Sequence, residues 1–272
     1  MIKTNAFLNI HKENAAISGA KIEIKDGYVI KSGSPRLVSQ ASKQFFFDKN
    51  ININNFYAPH IYEIGKNYFK MKNINGQSWY DFFLYSEVSN IQKFFDSIVR
   101  YLNYLKVRSS PSIINDNILI KLESLYGHSR YKGFIKYLQS LKIEIVPTSF
   151  CHGDLTLSNM IFKDGIYLID FLDSFVESYL IDIIKIRQDC YYKWCLIYND
   201  IESIKCEIIL NKLHQIISKN FPQEINSNIF KLLEAINILR IEPYISEKKA
   251  IIISKLLKQN FLYADFNRSN LR

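Results

Sequence analysis

The stretch CHGDLTLSN at residues 151–159, followed by LIDF at residues 168–171, decides the fold of this 272-residue chain. It places Asn159 five residues after Asp154 and adds a second aspartate, Asp170, after a short apolar run. An aspartate in a loop can orient a hydroxyl group or accept its proton. An amide oxygen and a second carboxylate suit a hard cation such as Mg²⁺, whose other ligands are often phosphate oxygens. Phosphoryl transfer requires these residue types in this arrangement.

Two β-hairpins are predicted from Asp-Gly pairs that lie between short apolar or alternating runs. The pair at 164–165 joins runs at 161–162 and 166–169, so Asp170 should return beside Asn159. The pair at 26–27 joins runs at 21–25 and 28–31. Further strands are predicted at 61–64 and 68–71, and a helix at 36–47. Amphipathic helices are predicted from residue 79 onward, except between residues 147 and 171, so the chain is α+β.

The sequence resembles the aminoglycoside phosphotransferase and choline kinase family, the small-molecule branch of the protein-kinase-like fold. The resemblance rests on His-Gly-Asp at 152–154 through Asn159, and on Ile-Asp-Phe at 169–171. Glycine stands where the protein-kinase catalytic loop has arginine, and Leu172 stands where protein kinases have glycine. The resemblance covers about residues 15–200 and implies a bilobal fold. Its small N-terminal lobe would be an antiparallel sheet, and its large C-terminal lobe would be helical.

The resemblance implies a role for each matched residue, with ATP and Mg²⁺ as cofactors. Asp154 would be the catalytic base or the residue that orients the nucleophile. His152 would brace the catalytic loop. Asn159 and Asp170 would be the metal ligands. Asp182 resembles the downstream aspartate that holds the catalytic loop by hydrogen bonds.

The small lobe carries the expected phosphate-binding residues. Lys31, after the first hairpin turn, resembles the strand lysine that pairs with the nucleotide phosphates, and the alternative is an ordinary strand lysine. Ser18 and Gly19 lie in a short stretch of small residues whose backbone N–H groups could approach phosphate oxygens. The family usually has a glutamate on the next helix, but residues 36–47 contain no acid. Gln40 stands at about that position, and we expect it to lie close to the Lys31 ammonium.

The adenine is expected against the backbone of the linker between the lobes. Met71 and Ile74 would form its apolar walls, with Asn73 between them, although Met71 could equally be a core residue. The polar break at 73–77 predicts a nucleotide-binding lobe at 1–75 and a helical catalytic and acceptor-binding lobe at 76–272. Ser78 is the predicted N-cap of the first helix of the second lobe.

Composition excludes several classes of protein. No uncharged apolar run approaches the roughly 20 residues of a membrane-spanning helix. The first residues lack the pattern of a signal peptide, so a cytoplasmic protein is expected. None of the four cysteines forms a CxxC pair, which disfavours a structural zinc site. The net charge is +9, but the basic residues are scattered and mostly lysine, so we expect no nucleic-acid partner.

The acceptor is expected to be a hydroxyl group of a small molecule. A basic chain should favour a neutral or anionic acceptor over a polycation. The run at 181–194 is similar to phosphotransferase-like proteins of bacterial surface-polysaccharide pathways, which suggests a sugar or sugar derivative. The alternatives are a regulatory pseudokinase or protein kinase, and a choline- or aminoglycoside-type kinase with a cationic acceptor. The oligomeric state and the choice between ATP and GTP stay open.

Overall fold

The computed structural model describes residues 20–141, 145–242, 245, 251, 252 and 257. These residues belong to two compact units. The first contains residues 20–104, 152–173 and 185–216, and the second contains the described residues of 105–151, 174–184 and 217–257. The predicted phosphate-loop residues Ser18 and Gly19 lie outside the described residues. None of the described helices is both long and apolar enough to cross a membrane.

A four-stranded antiparallel sheet opens the first unit. Its strands, in spatial order, are β1 (Lys21–Lys25), β2 (Tyr28–Ser32), β5 (Tyr68–Lys72) and β4 (Ile61–Ile64). Asp26 and Gly27 both have positive φ, at 49° and 79°, as a two-residue turn between twisted strands requires. The predicted first hairpin is therefore confirmed.

The helix α1 (Arg36–Asn50) covers one face of this sheet. Leu37 and Ala41 lie one turn apart and are buried in one cluster with Val29, Phe69 and Met71 of the strands. The spacing of four residues puts both apolar side chains on the same side of the helix. Phe47 is also buried, and the helix runs three residues beyond this predicted end.

A second, three-stranded sheet contains the hairpin that follows the His-Gly-Asp motif. It consists of β3 (Phe56–Tyr57), β9 (Ile166–Leu168) and β8 (Met160–Phe162), in that order, and β8 and β9 form the second predicted hairpin. The hairpin is preceded by a 3₁₀ turn at Leu157–Asn159. The backbone of Gln77 pairs with Phe162 in both directions, so the segment after β5 is attached to this hairpin.

The remaining elements are mostly helices. They are α2 (Trp79–Tyr85), α3 (Val88–Val107), β6 (Ser110–Ser112), α4 (Asn115–Tyr126), α5 (Lys132–Ser140), β7 (Val146–Thr148), α6 (Tyr179–Cys190), α7 (Trp194–Tyr198), α8 (Ile204–Asn220), α9 (Pro222–Asn226) and α10 (Asn228–Ile241). Ser78 caps α2, since its side-chain oxygen accepts from Asp81 N at 3.1 Å, as predicted. The predicted lobe boundary after residue 75 stays a prediction. The two compact units do not divide the chain at residue 75, because residues 152–173 belong to the same unit as the small sheet.

Candidate active site

Two side chains hold the carboxylate of Asp154, one on each oxygen. Asn159 Nδ2 donates to Asp154 Oδ2 at 2.9 Å, and also to the Asp154 carbonyl oxygen at 2.9 Å. Lys185 Nζ lies 3.0 Å from Asp154 Oδ1. The Asp154 side chain is 26% exposed, so it remains open to a substrate. The loop thus presents one accessible carboxylate in a fixed orientation.

His152 joins the predicted catalytic loop (residues 152–159) to the end of β9. Its Nδ1 accepts a hydrogen bond from Asp154 N at 3.2 Å, so the ring proton is on Nε2, which donates to the Ile169 carbonyl at 2.9 Å. Burial lowers the pKa of His152 to about 4, and the ring is therefore neutral at neutral pH. Both nitrogens are used in hydrogen bonds to the backbone, an arrangement that fits the predicted bracing role of His152.

Gly153 allows two backbone segments to meet at the site. Its φ is +83°, and a Cβ at this position would lie 2.0 Å from the Leu172 carbonyl oxygen. The chains are also joined by a hydrogen bond from Leu172 N to His152 O at 2.9 Å. A larger residue, such as the arginine of protein kinases, would not fit here. This explains the glycine in the motif.

The β8–β9 hairpin brings Asp170 back to the catalytic loop. Ile169 N donates to Asn159 O at 3.0 Å, which extends the ladder of the hairpin by one step beyond Met160 and Leu168. Asp170 is the next residue and has a φ of +60°, an uncommon value for a residue other than glycine. Non-glycine residues in this region are concentrated at functional sites.

Lys31 forms an ion pair with Asp170, and this corrects the predicted pairing with Gln40. The distance from Lys31 Nζ to Asp170 Oδ1 is 2.7 Å, and the two side chains are 5% and 13% exposed. Gln40 Oε1 is buried without a hydrogen-bond partner. A buried ammonium is better stabilised by a full negative charge than by an amide dipole. The acid that pairs with the strand lysine therefore comes from the hairpin and not from α1.

The helix α1 instead contacts the two residues that follow the Ile-Asp-Phe triplet at 169–171. Lys43 Nζ donates to the Leu172 carbonyl at 2.7 Å, and the Ser39 hydroxyl donates to the Asp173 carboxylate. Neither contact was predicted from the sequence. No spacing rule could have revealed them, because the partners are more than 120 residues apart.

The three residues predicted to line the adenine site lie along one stretch of backbone. Met71 is buried in the core of the small sheet, and Gln44 Nε2 lies 3.5 Å from its sulfur. Ile74 is buried against Ile161 of the β8–β9 hairpin. Asn73 N donates to Gly27 O at 2.9 Å, while its side-chain oxygen is buried without a hydrogen-bond partner. The adenine position stays a prediction.

The helix α6 supplies a second brace that sequence reasoning missed. Asp189 Oδ2 accepts from Leu157 N at 2.7 Å, so a buried carboxylate holds the backbone between Asp154 and Asn159. Burial raises the pKa of Asp189 to about 7. Asp182, for which a similar role was predicted, is also fully buried, and its role stays a prediction. In the sequence, Asp189 is marked only by its spacing of four residues from Lys185, which puts the two charged side chains on one face of α6.

The side chains suited to a metal ion are an amide and a carboxylate. Because Asn159 directs its Nδ2 to Asp154, its Oδ1 is left as the acceptor end of the amide. Asp170 contributes a carboxylate on the same end of the hairpin. Among the described residues, no group of three or more His, Cys, Asp or Glu residues could hold a metal ion. This small oxygen donor set fits Mg²⁺, which takes one or two protein ligands together with phosphate oxygens.

Within the described residues, a small antiparallel sheet is covered by the helix α1, and a hairpin that ends at Asp170 follows the loop of Asp154. This arrangement is that of the protein-kinase-like fold. The comparison with solved structures agrees, although no family model and no curated protein matches the sequence. The predicted α+β fold class, and the resemblance at the level of the fold, are confirmed.

Three solved structures illustrate the similarity. A thermostable mutant of an aminoglycoside phosphotransferase, in a ternary complex with ADP and hygromycin B, matches with a TM-score of 0.59 at 10% identity, over 97% of this chain and 99% of that chain. The streptomycin–ATP–APH(2″)-IIa ternary complex matches with a TM-score of 0.51 at 14% identity, over 93% and 96%. An ethanolamine kinase of Plasmodium vivax matches with a TM-score of 0.47 at 16% identity, over 99% and 92%.

Proposed function

We propose that the chain is a phosphotransferase that moves the γ-phosphoryl group of ATP, in the presence of Mg²⁺, to a hydroxyl group of a small molecule. The observation that carries the proposal is the linked set of Asp154, Asn159, Asp170 and Lys31. Asn159 binds the Asp154 carboxylate, a backbone hydrogen bond from Ile169 to Asn159 brings Asp170 alongside, and Lys31 of β2 forms the ion pair with Asp170. The two structures described above with TM-scores of 0.59 and 0.51 are complexes with ADP and ATP, which agrees with a nucleotide as the donor.

Each residue has a defined task in this reaction. The accessible carboxylate of Asp154 would accept a hydrogen bond from the acceptor hydroxyl, orient its oxygen and take its proton. Lys31 would bind phosphate oxygens of the nucleotide, exchanging its carboxylate partner for another anion. Asn159 and Asp170 would hold the metal. When bound, Mg²⁺ would supply positive charge that neutralises the phosphate oxygens.

We further propose a neutral or anionic acceptor, such as a sugar or sugar derivative. Lys185 lies 3.0 Å from Asp154, so the acceptor hydroxyl would meet an ion pair instead of an isolated negative charge. A further cation, Lys43, binds the carbonyl oxygen of Leu172, two residues after Asp170. The net charge of the whole protein is +9. These charges disfavour a polycationic acceptor.

The test is ADP release from Mg·ATP with a panel of acceptors. The panel contains sugars, sugar phosphates, choline, ethanolamine and aminoglycosides. We expect a sugar or sugar phosphate to stimulate ADP release, with Asp154→Asn lowering kcat at least ~100-fold at nearly unchanged Mg·ATP affinity. Asp164→Asn, in the exposed turn of the β8–β9 hairpin, is the matched control and should keep full activity.

Three outcomes would contradict parts of this proposal. Stimulation by choline or aminoglycosides alone would contradict the acceptor class. Near-wild-type turnover of Asp154→Asn would contradict the role of that carboxylate. Binding of Mg·ATP without ADP release, with every acceptor, would instead indicate a pseudokinase.

A further inference from the structure

A buried lysine on α6 contacts the carboxylate on which the proposed reaction depends. Lys185 Nζ lies 3.0 Å from Asp154 Oδ1 and donates to Gln188 Oε1 at 3.4 Å. The Lys185 side chain is only 10% exposed. The sequence motif contains no lysine or arginine between 151 and 159, so this cation reaches the catalytic loop from a separate helix.

Burial of the Lys185 ammonium group is energetically unfavourable, and filling space in the core would not require a charged side chain. Removing an ammonium group from water costs several kcal/mol unless partners replace the lost hydration. Here the replacement comes from Asp154 and Gln188. Asp154 in turn has Lys185 on one carboxylate oxygen and Asn159 on the other. With both oxygens held, the carboxylate is confined to one orientation, and because a carboxylate oxygen has two lone pairs, an oxygen with one donor can also accept from a hydroxyl group.

The contact of Lys185 differs in kind from that of Asp189, its neighbour one turn along α6. Asp189 binds the backbone of Leu157 and so supports the conformation of the loop. Lys185 binds the catalytic carboxylate itself. The two residues should therefore affect different properties, with Asp189 acting on the folding of the loop and Lys185 acting on the geometry and charge of Asp154.

We propose that Lys185 is a positioning residue for phosphoryl transfer, which fixes the orientation of the Asp154 carboxylate and balances its charge while the acceptor hydroxyl binds. This inference rests on the proposed function. Lys185 acts through Asp154, so its loss should slow the transfer step and leave nucleotide binding intact. A displacement of about 1 Å in a reacting group can cost on the order of 100-fold in rate.

The test is a double-mutant cycle on ADP release, with water or the best acceptor of the panel. Lys185→Met keeps the length of the side chain and removes its charge. We expect it to lower kcat roughly 10–100-fold, with the KM for ATP and the Mg·ADP affinity within about twofold. Lys185→Arg should recover part of this loss. Lys163→Met, at an exposed lysine of the β8–β9 turn, is the matched control and should behave as wild type.

The cycle is completed by Asp154→Asn and by the double variant. A residue that acts only through Asp154 should cost almost nothing further once that carboxylate is gone. Losses that multiply in the double variant would overturn the proposal, because Lys185 would then act on the phosphate groups directly. Wild-type kcat in Lys185→Met, or equal losses of kcat and nucleotide affinity, would overturn it as well.

A second double-mutant cycle, measured by urea unfolding, tests the coupling of Lys185 to Asp154 independently of the proposed function. Absence of ADP release by the wild-type chain would refute the proposed function. The unfolding cycle would still test the pair, since coupled partners give non-additive losses of stability. Lys185→Met should destabilise the wild-type background more than the Asp154→Asn background, and additive losses would refute the coupling.

Discussion

Replacement of Gly153 by alanine tests the close approach of two backbone segments at the candidate active site. A Cβ at this position would lie 2.0 Å from the Leu172 carbonyl oxygen, so one of the two segments must move. The hydrogen bond from Leu172 N to His152 O, now 2.9 Å, would be strained or lost, at a cost of about 1 kcal/mol. The φ of +83° costs an alanine about 1–2 kcal/mol in addition.

Gly27→Ala is the matched control, because it measures the cost of a positive φ without any steric overlap. Gly27 has a similar φ of +79°, but no atom lies within 4 Å of its hypothetical Cβ. Restricting the unfolded chain offsets part of the cost in both variants by about 0.4–1 kcal/mol. We expect Gly27→Ala to lower the free energy of unfolding by about 1 kcal/mol, and Gly153→Ala to lower it by about 3 kcal/mol, since steric overlap adds to the loss.

The measurement is urea unfolding at equilibrium, followed by ADP release for both variants. Gly153→Ala should lose activity in conditions where it remains folded, because the displaced segments carry Asp154 and Asp170. Gly27→Ala should keep most of its activity. If the two variants lost equal stability, the close contact at Leu172 would be refuted as the reason for glycine at position 153.

Three further predictions concern the charged groups of the site. Asp170→Ala and Asn159→Ala should both weaken Mg²⁺-dependent nucleotide binding in calorimetry, and the carboxylate should matter more because it carries a full charge; unchanged affinity in Asp170→Ala would contradict a metal role. Lys31→Ala should reduce kcat/KM for ATP about 10–100-fold, since charge-assisted hydrogen bonds contribute about 1.5–3 kcal/mol. Gln40→Ala should change it less than about tenfold, and equal severe losses would show that Gln40 does more than fill space. Burial raises the pKa of Asp189 to about 7, so its contribution to stability is present at about pH 4 and is lost as pH rises through 7. Asp189→Asn should therefore gain stability relative to wild type from pH 4 to 8, and a constant difference in urea unfolding would contradict this.

The sequence by itself predicted the elements that depend on neighbouring residues. The turn at 26–27 forms as expected because aspartate and glycine tolerate the positive φ values that it requires. The cap at Ser78 and the strand Ile61–Ile64 have the predicted bounds. The loop and hairpin that carry Asp154, Asn159 and Asp170 were predicted for the same reason, since their spacing depends on one turn and two short strands. The catalytic roles of these residues stay predictions.

The tertiary structure alone decided which partners meet these residues. Lys31 pairs with Asp170, 139 positions away, and not with Gln40. The sequence shows which residue types lie on α1, but the Lys31 ammonium pairs with the strongest acceptor that packing brings within its reach, which is a carboxylate.

The contacts from α6 to the loop of Asp154 could not be predicted from the sequence either. Lys185 and Asp189 lie 31 and 35 residues after Asp154, and nothing in that separation indicates contact with the catalytic loop. Local rules of turns, caps and periodicity operate over a few residues, so the sequence determined which polar groups lie on the loop and at the end of the hairpin. The packing of helix against loop, which joins distant residues by burial and charge, determined how those groups are held.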